Sequence, residues 1–417
     1  MDVIVTPSKL SGSVSSIPSK SVAHRLLICA ALADKPTSLV LPSSSDDIDA
    51  TIGALKALGA VIEREDDTVT ITPIGEVPEN PVLDCRESGS TLRFMLPVAA
   101  ALCEHVSFTG GGRLPERPIT ELSDAMKRHG VSFSSDKLPY EMNGRLTGGE
   151  FIISGGVSSQ YLTGLLLALP SLEEDSSIKL SSKLVSSAYV DITLLALERF
   201  GVKVKRSENE YQISGSNKFR SPERLSVDGD WSNAAFFLAA GAIGVPVTVT
   251  GLDSSSPQGD KAIVALLQRF GAEVSSEGTQ FTVKPGRLRG CEIDLSEVPD
   301  LLPALSVVAA YAEGETNFVN GAHLRYKESD RLASTASMIN AMGGKAQAYS
   351  DALTVFGGAL SGGTVSSFND HRIAMAAAIA GSACSGPVTI TGAEAVNKSH
   401  PAFFSDYVKL GGKADVI

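Results

Sequence analysis

The stretch "ALKALGAVI", Ala54–Ile62, is the first of six similar segments and decides the fold of this chain. Each copy reads as the end of a helix, a small-residue turn and, in most copies, the start of a β-strand. The other copies are "AMKRHGVSF", "ALERFGVKV", "LLQRFGAEV", "MINAMGGKA" and "YVKLGGKAD". Their turn glycines, separated by 71, 71, 70, 72 and 68 residues, are Gly59, Gly130, Gly201, Gly271, Gly343 and Gly411. Because glycine suits the left-handed conformation in which many helices end, the spacing predicts six copies of one helix–turn–strand unit.

Each unit contains a second helix, which is apolar on nearly all sides beyond its first turn. The six sequences are "KSVAHRLLICAALA", "GSTLRFMLPVAAAL", "SSQYLTGLLLALP", "WSNAAFFLAAGAI", "VPDLLPALSVVAAYA" and "NDHRIAMAAAIAG". Such helices are predicted to be buried. They begin at polar residues of the capping type, namely Ser21, Ser90, Ser159, Ser232, Asp300 and Asp370. Since helix N-termini attract phosphate and carboxylate, several parallel helices of this kind would converge on a small, multiply charged anion.

Length and composition limit the classes of protein to consider. A chain of 417 residues with 43% hydrophobic and 20% charged residues is typical of a globular protein with two domains. The net charge of -11 argues against nucleic acid as a partner. No leader-like segment opens the chain and no run of about twenty apolar residues occurs, which predicts neither export nor a membrane span. Five cysteines without metal-like spacing predict reduced thiols in the cytosol: Cys29, Cys85, Cys103, Cys291 and Cys384.

Eight motifs in order give the chain a family resemblance. They are "PSKSVAHR", "ESGSTLRF", "RLPERPI", "VSSQYLTGLL", "SSAYVDITL", "VPDLLPAL", "LRYKESDRL" and "FNDHRIAMA". Together they resemble the enolpyruvyl transferase superfamily and, within it, the 5-enolpyruvylshikimate-3-phosphate synthase family, over the whole chain. The resemblance implies an α/β fold, a two-domain inside-out α/β barrel whose domains each contain three βαβαββ repeats with buried helices and outer sheets. It implies a discontinuous domain I, residues 1–19 plus 229–417, a domain II of residues 20–228, and an active site in the interdomain cleft.

The activity implied by this resemblance is transfer of the carboxyvinyl group of phosphoenolpyruvate to the 5-hydroxyl of shikimate 3-phosphate, with release of inorganic phosphate. This reaction belongs to the shikimate pathway of aromatic amino acid biosynthesis, and its enzyme is the target of glyphosate. The resemblance further implies a cytoplasmic monomer that acts on small molecules without nucleic acid, membrane, cofactor or metal. Substrates with two phosphates and two carboxylates require several cations, and the proton transfers require positioned acids and bases.

The resemblance also assigns site residues. The acid–base group comprises Asp300, Glu328, Lys20 and His371. The residues implied for shikimate 3-phosphate are Lys20, Ser21, Arg25, Ser158, Ser159, Gln160, Ser186, Asp300, His323 and Lys327, with Tyr189 nearby. Those implied for phosphoenolpyruvate are Lys20, Gly89, Arg93, Arg117, Gln160, Arg331, Arg372 and Lys398. Asp330 would orient the arginines, and Asp46 and Asp47 lie near the site without a chemical role.

The charges themselves support a ligand. Lys20 and Arg25 begin a helix, where a cation opposes the helix dipole at a cost of roughly 0.3 to 1 kcal/mol unless an anion is bound. Within "LRYKESDRL", the pairs at i,i+3 contribute only about 0.2 to 0.5 kcal/mol each. Surface ion pairs therefore do not account for five charged side chains in nine residues.

The chain departs from the family pattern at three positions. Glu87 stands where asparagine is usual, Ser90 where threonine is usual, and His323 where asparagine is frequent. A carboxylate at position 87 would repel a bound phosphate unless it pointed away or paired with a cation, which bears on inhibitor sensitivity.

Three other functions are compatible with this fold. A UDP-N-acetylglucosamine enolpyruvyl transferase usually carries a reactive cysteine in the loop corresponding to "FTGGGRLPERPI", which here has none. An RNA 3'-phosphate cyclase-like protein is disfavoured by the acidic net charge. A catalytically silent protein that binds phosphorylated metabolites would have little need of both candidate carboxylates, Asp300 and Glu328.

Overall fold

The computed structural model describes residues 1–417, and its twelve α-helices alternate between two kinds along the chain. The first kind is almost wholly buried, as predicted: α1 Lys20–Ala31, α3 Gly89–Leu102, α5 Ser159–Ala168, α7 Trp231–Ile243, α9 Leu302–Ala310 and α11 His371–Ala383. The second kind has one exposed side: α2 Asp46–Ala57, α4 Thr120–Lys127, α6 Ser187–Arg199, α8 Ile263–Phe270, α10 Arg331–Ala341 and α12 Phe403–Lys409. None of these helices combines the length and apolar character needed to cross a membrane.

The six repeat glycines follow the ends of the helices of the second kind. All have positive φ, between 78° and 108°. At Gly59, a side-chain methyl group would lie 2.6 Å from the carbonyl oxygen of Glu76. The prediction that these glycines terminate helices in a left-handed conformation is therefore confirmed.

Twenty-four strands complete the chain. In the first half they are β1 Val3–Thr6, β2 Gly12–Ser15, β3 Thr37–Val40, β4 Val61–Glu65, β5 Thr68–Thr72, β6 Val82–Asp84, β7 His105–Thr109, β8 Ser132–Phe133, β9 Tyr140–Asn143, β10 Gly149–Ile153, β11 Ser176–Leu180 and β12 Val204–Arg206. They continue with β13 Glu210–Ile213, β14 Arg224–Ser226, β15 Val247–Thr250, β16 Glu273–Glu277, β17 Gln280–Lys284, β18 Glu292–Asp294, β19 Glu315–Val319, β20 Lys345–Ala348, β21 Leu353–Phe356, β22 Gly363–Ser366, β23 Val388–Thr391 and β24 Lys413–Val416.

The strands form six four-stranded sheets of one topology. In the sheet β6-β7-β9-β8, β6 is parallel to β7, and β9 runs antiparallel to both β7 and β8. The chain visits these elements in the order β6, α3, β7, α4, β8, β9, which is the predicted βαβαββ repeat. One face of each sheet is buried, as at Val106 and Phe108 of β7.

The chain divides into two units, each with its own hydrophobic core. The first unit contains Met1–Ser19 and Asp228–Ile417, and the second contains Lys20–Val227. Each unit contains three of the six sheets. Asp228 belongs to the first unit, one residue earlier than the predicted boundary, because its carbonyl accepts a hydrogen bond from the Ser19 amide at 2.7 Å.

One repeat in each unit is interrupted where the chain passes from one unit to the other. In the first unit, β2 precedes the crossing and α7 follows the return, although β2 pairs with β15 in the same repeat. In the second unit, α1 comes first and β14, the parallel partner of β3, comes last. In both repeats, the chain passes to the other unit between the first strand and the buried helix.

The capping residues lie upstream of three of the six positions predicted from the sequence. Ser88, Ser158 and Asp230 are the N-caps of α3, α5 and α7, rather than Ser90, Ser159 and Ser232. The reason is geometric, since a cap keeps an extended backbone and accepts a hydrogen bond from an amide two or three residues ahead. Asp370 does cap α11, whereas Asp300 lies in the 3-10 turn Pro299–Leu301 that leads into α9.

Candidate functional site

In the first unit, the predicted site residues gather around the guanidinium group of Arg331. Its side chain is 1% exposed and forms ion pairs with Asp300 and Glu328 at 2.5 Å each and with Asp370 at 2.9 Å. Burial alone would lower the pKa of Arg331, but these three carboxylates hold it above its usual value. Arg331 is therefore a permanent charge that fixes the orientation of both candidate acid–base carboxylates.

The ends of three helices bring these charges together. Arg331 is the first residue of α10, Asp370 caps α11, and Asp300 lies in the turn before α9. The three helices pack against one another, so their N-terminal ends meet. Asp330 caps α10 and forms an ion pair with Arg325 at 2.5 Å. Of the two arginines in "LRYKESDRL", Asp330 therefore holds Arg325.

Asp300 is surrounded by cations. In addition to Arg331, Arg372 donates to it at 3.0 Å and the Lys327 ammonium lies 3.6 Å away. Lys398 is buried and donates to the carbonyl of Asn369 at 2.6 Å, just before the cap of α11. An anion brought to this cluster would find three positive groups, Arg331, Arg372 and Lys327, that lie beside the Asp300 carboxylate.

His323 contributes polarity rather than charge. It lies in the 3-10 turn Ala322–Tyr326, and burial lowers its pKa to about 4, assisted by the positive charges of Lys327 and Arg331 and opposed by Asp300. The imidazole is therefore neutral near pH 7 and can exchange hydrogen bonds with a ligand. Asparagine, which is frequent here in the family, offers the same type of neutral contact.

Two polar residues beside this cluster were missed by the sequence analysis. Ser329, 5% exposed, donates to Asp370 at 2.9 Å. Asp260 is 3% exposed and accepts a hydrogen bond from Ser232, and burial together with the charge of Asp300 raises its pKa to about 6. In the sequence, Asp260 stands beside a lysine in a loop-like stretch, so nothing marks it as buried.

In the second unit, Arg25 is held by four hydrogen bonds. Its guanidinium group donates to the Ser21 carbonyl at 2.7 Å, the Thr193 hydroxyl at 2.8 Å, the Tyr189 carbonyl at 3.0 Å and the Thr163 hydroxyl at 3.3 Å. Burial lowers its pKa to about 10, which leaves it charged at neutral pH. Arg25 is therefore a rigid, buried cation one turn inside the start of α1.

Lys20 has a partner to which the sequence analysis gave no role. Its ammonium group lies 2.7 Å from the carboxylate of Asp47, near the start of α2. Both side chains are largely buried, with 14% and 10% exposure. Asp47 thus offsets the unfavourable placement of a lysine at the N-terminus of α1.

Two further arginines converge over the first residue of α3. A methyl group on Gly89 would lie 2.5 Å from Nη1 of Arg117 and 2.7 Å from Nη1 of Arg93, so only glycine leaves room for both guanidinium groups. Arg93 donates to Gln160 of α5 at 2.8 Å, and Gln160 donates to Ser90 at 3.0 Å. The predicted residues Gly89, Arg93, Arg117 and Gln160 thus form one cationic cluster.

The predicted serines stand at two helix starts. Ser158 caps α5 and Ser159 is its first residue. Ser186 precedes α6 with φ of 55°, a left-handed conformation that costs a non-glycine residue about 1 to 3 kcal/mol. Such backbone strain is common where a protein presents groups to a ligand.

Glu87, the departure in the α3 motif, packs against the loop that follows β7. A methyl group on Gly112 would lie 2.3 Å from a carboxylate oxygen of Glu87. Gly112 has φ of 56°, so a side chain there would be strained in any case. The carboxylate of Glu87 therefore packs against Gly112, whereas the guanidinium groups of Arg93 and Arg117 approach Gly89.

The chain is similar to known proteins over its full length. The model of one protein family, described as EPSP synthase (3-phosphoshikimate 1-carboxyvinyltransferase), matches residues 4–407. A 3-phosphoshikimate 1-carboxyvinyltransferase of Clostridium kluyveri is 42% identical, covering 99% of this chain and 98% of that protein. The protein of the same name from Methanocorpusculum labreanum is 38% identical, covering 99% of both chains.

Solved structures have the same fold. An EPSP synthase from Acinetobacter baumannii superimposes with a TM-score of 0.83 at 26% identity and covers 100% of both chains. The enolpyruvyl transferase NikO from Streptomyces tendae superimposes with a TM-score of 0.81 at 18% identity, covering 99% of this chain and 98% of its own, which is a likeness of fold alone. The predicted two-domain α/β fold is confirmed.

Proposed function

The chain belongs to the EPSP synthase family, and from that membership we propose which of its residues serve the reaction. The enzyme is a 3-phosphoshikimate 1-carboxyvinyltransferase, which transfers the carboxyvinyl group of phosphoenolpyruvate to the 5-hydroxyl of shikimate 3-phosphate in the shikimate pathway. The observation that carries our assignment is the buried Arg331 guanidinium, which holds Asp300 and Glu328 at 2.5 Å each.

These two carboxylates have the acid–base roles. The new carbon–oxygen bond requires a proton on the methylene carbon of phosphoenolpyruvate and loss of the proton from the acceptor hydroxyl; elimination of phosphate then returns the proton from the methyl group. Glu328 gives and takes the proton at carbon, and Asp300 takes the hydroxyl proton. Lys20 and His371 support them, since the first carries a charge and the second follows Asp370, which forms an ion pair with Arg331.

The phosphoenolpyruvate anion binds the arginines. Planar guanidinium groups match phosphate and carboxylate oxygens in pairs, and burial strengthens such contacts. The proposed set is Lys20, Gly89, Arg93, Arg117, Gln160, Arg331, Arg372 and Lys398. Convergence of Arg93 and Arg117 over Gly89 supports this proposal, because it concentrates positive charge where the backbone leaves space.

Shikimate 3-phosphate binds hydroxyl and amide groups together with cations. The proposed set is Lys20, Ser21, Arg25, Ser158, Ser159, Gln160, Ser186, Asp300, His323 and Lys327. The helix starts at Ser158 and Ser186 supply backbone N–H groups and the positive ends of two helix dipoles for a phosphate, and the fixed Arg25 supplies charge. Neutral His323 adds a hydrogen bond without further positive charge.

Release of inorganic phosphate tests the proposal. Phosphate should appear from phosphoenolpyruvate with shikimate 3-phosphate and not with UDP-N-acetylglucosamine. Glu328→Gln and Asp300→Ala should each lower kcat at least about a hundredfold, as expected for lost acid–base groups, with smaller changes in KM. The matched control is Glu273→Gln, an exposed glutamate on β16, which should retain wild-type kcat. Near-wild-type kcat in both site variants would refute the roles given to Asp300 and Glu328.

We also propose that the enzyme works as a monomer in the cytoplasm. None of the five cysteines forms a disulfide, and free thiols suit a reducing compartment. Light scattering that gives a mass near 43.5 kDa would support the monomer, and twice that mass would exclude it.

A further inference from the structure

Hydrogen bonds join five helices of the second unit into a closed ring near the start of α1. The links are Lys20–Asp47 and His24–Thr51 between α1 and α2, Thr51–Thr91 between α2 and α3, Arg93–Gln160 between α3 and α5, Thr163–Thr193 between α5 and α6, and Thr193–Arg25 between α6 and α1. Lys20, Arg25, Arg93 and Gln160 belong to the proposed substrate set. His24, Thr51 and Thr91 do not, and these three residues form the "inner arc" of the ring.

The inner arc is short, dry and continuous. His24 is 1% exposed, and Thr51 and Thr91 are fully buried. His24 Nδ1 lies 2.7 Å from the Thr51 hydroxyl, which lies 2.7 Å from the Thr91 hydroxyl. Thr91 then reaches Ser88, the N-cap of α3, at 2.8 Å. Within a water-excluded interior, these hydroxyls have protein groups as partners, so each bond restrains the position of a helix.

The direction of the hydrogen bonds follows from the state of His24. Burial, and then the positive charges of Lys20 and Arg25, hold the pKa of His24 well below 6.5, so its imidazole is neutral. Its Nε2 is buried without a hydrogen-bond partner. Because a buried N–H is rarely left unpaired, the proton belongs on Nδ1, which donates to Thr51. Thr51 then donates to Thr91, and Thr91 donates to Ser88.

The inner arc adds a second bond between α1 and α2, one helical turn further along both helices than the ion pair of Lys20 and Asp47. Lys20 and His24 are four residues apart, as are Asp47 and Thr51, so the two bonds are stacked along the helices. Two stacked bonds prevent α1 and α2 from sliding past each other. Thr91 extends this restraint to α3, on which it stands two residues from both Gly89 and Arg93.

We infer that His24, Thr51 and Thr91 are positioning residues for phosphoenolpyruvate, which fix Gly89 and Arg93 on α3 relative to Lys20 on α1. This inference rests on the proposed roles of those ligand-binding groups. Its physical basis is that charged contacts to a small dianion depend on ångström-scale placement, and Thr91 links α3 to both the Thr51 hydroxyl and the Asp47 carbonyl of α2.

The test removes a hydroxyl while keeping shape. Thr91→Val should raise KM for phosphoenolpyruvate by about tenfold, the effect of one lost buried hydrogen bond, while KM for shikimate 3-phosphate stays within about twofold. Thr91→Ser, which keeps the hydroxyl, should restore KM for phosphoenolpyruvate to within about threefold of wild type. The control is Thr37→Val on β3, a fully buried threonine with a 2.7 Å bond to Ser221, which should lose stability without a change in either KM.

A second readout needs no turnover. The ring nitrogen NMR signals of His24 should shift in Thr91→Val, although the substitution lies two hydrogen bonds away, and should not shift in Thr37→Val. Unchanged His24 signals, or equal KM for phosphoenolpyruvate in Thr91→Val and wild type, would overturn the inner arc as a positioning device. If the wild type released no phosphate, the proposed function would fail, and the NMR comparison would still decide whether the arc is coupled.

Discussion

A single buried charge, Arg331, organises the chemistry of the first unit at the scale of one residue. It binds three carboxylates, and two of them, Asp300 and Glu328, have proposed roles in proton transfer. The third, Asp370, is held in turn by the first turn of α11 through the Arg372 amide at 2.9 Å. Asp260 lies close enough to Asp300 for its pKa to respond to that charge, although it has no proposed contact with substrate.

The first residue-scale prediction concerns pH. The pKa of Asp260 is raised from 3.8 to about 6, first by burial and then by Asp300, so between these values the folded protein keeps a proton that the unfolded chain has lost. This group therefore lowers the free energy of unfolding as pH rises from about 4 to above 6. Asp260→Asn removes the ionisable group. The melting temperature of this variant minus that of wild type should therefore be higher at pH 7.5 than at pH 5.

Ser232→Ala provides the companion variant. The hydrogen bond from Ser232 lowers the pKa of Asp260, so its removal should move the pH dependence to higher pH. Thermal unfolding from pH 4.5 to 8 measures both effects. A difference between Asp260→Asn and wild type that is constant across this range would show that Asp260 does not titrate there.

At the scale of secondary-structure elements, the repeat glycines allow a matched comparison. Gly59→Ala and Gly201→Ala both place alanine at positive φ, 100° and 78°, which costs roughly 1 to 2 kcal/mol. At Gly59 the methyl group would also lie 2.6 Å from the Glu76 carbonyl, whereas at Gly201 its nearest neighbour is the Arg220 side chain at 3.7 Å. Gly59→Ala should therefore lower the free energy of unfolding more than Gly201→Ala.

Urea unfolding measures this difference within one unit, because both glycines belong to Lys20–Val227. Equal losses of stability in the two variants would mean that the chain near Glu76 relaxes at no cost, which would contradict the steric argument.

The sequence predicted the elements better than their ends. Periodic glycines and continuous apolar stretches are local signals, so the repeats and the buried helices were predictable, as was the gathering of charges in "KESDR". The caps were placed wrongly at Ser90, Ser159 and Ser232, because a run of small polar residues offers several candidates and only backbone geometry selects one. Thr51 and Thr91 could not be identified from the sequence, since their hydroxyls meet only after α2 and α3 have packed.

At the scale of the whole molecule, the two units should fold independently. Their hydrophobic cores share no residue, and all strands of the three sheets in the second unit come from Lys20–Val227. We predict that a fragment of residues 20–227 gives a cooperative thermal transition and dispersed amide NMR signals. A fragment ending at Phe219, which lacks β14, should be less stable, because β3 loses its parallel partner.

The complementary variant joins Ser19 directly to Asp228. These residues are already linked by a 2.7 Å backbone hydrogen bond, so the first unit should close without its insertion. A fragment of residues 20–227 that showed no cooperative transition would mean that the division into two cores does not correspond to two folding units.

The position of β1 has a consequence for synthesis on the ribosome. This strand, "VIVT", lies between β23 and β24, which follow it along the chain by about 385 and 410 residues. At the usual rate of translation, it waits roughly 20 to 80 s with both of its edges open, while the contiguous second unit has everything it needs once Val227 has emerged. An apolar strand with unpaired edges is a site for mispairing between nascent chains. The growing polypeptide therefore needs chaperone protection at β1 until β23 and β24 have been made.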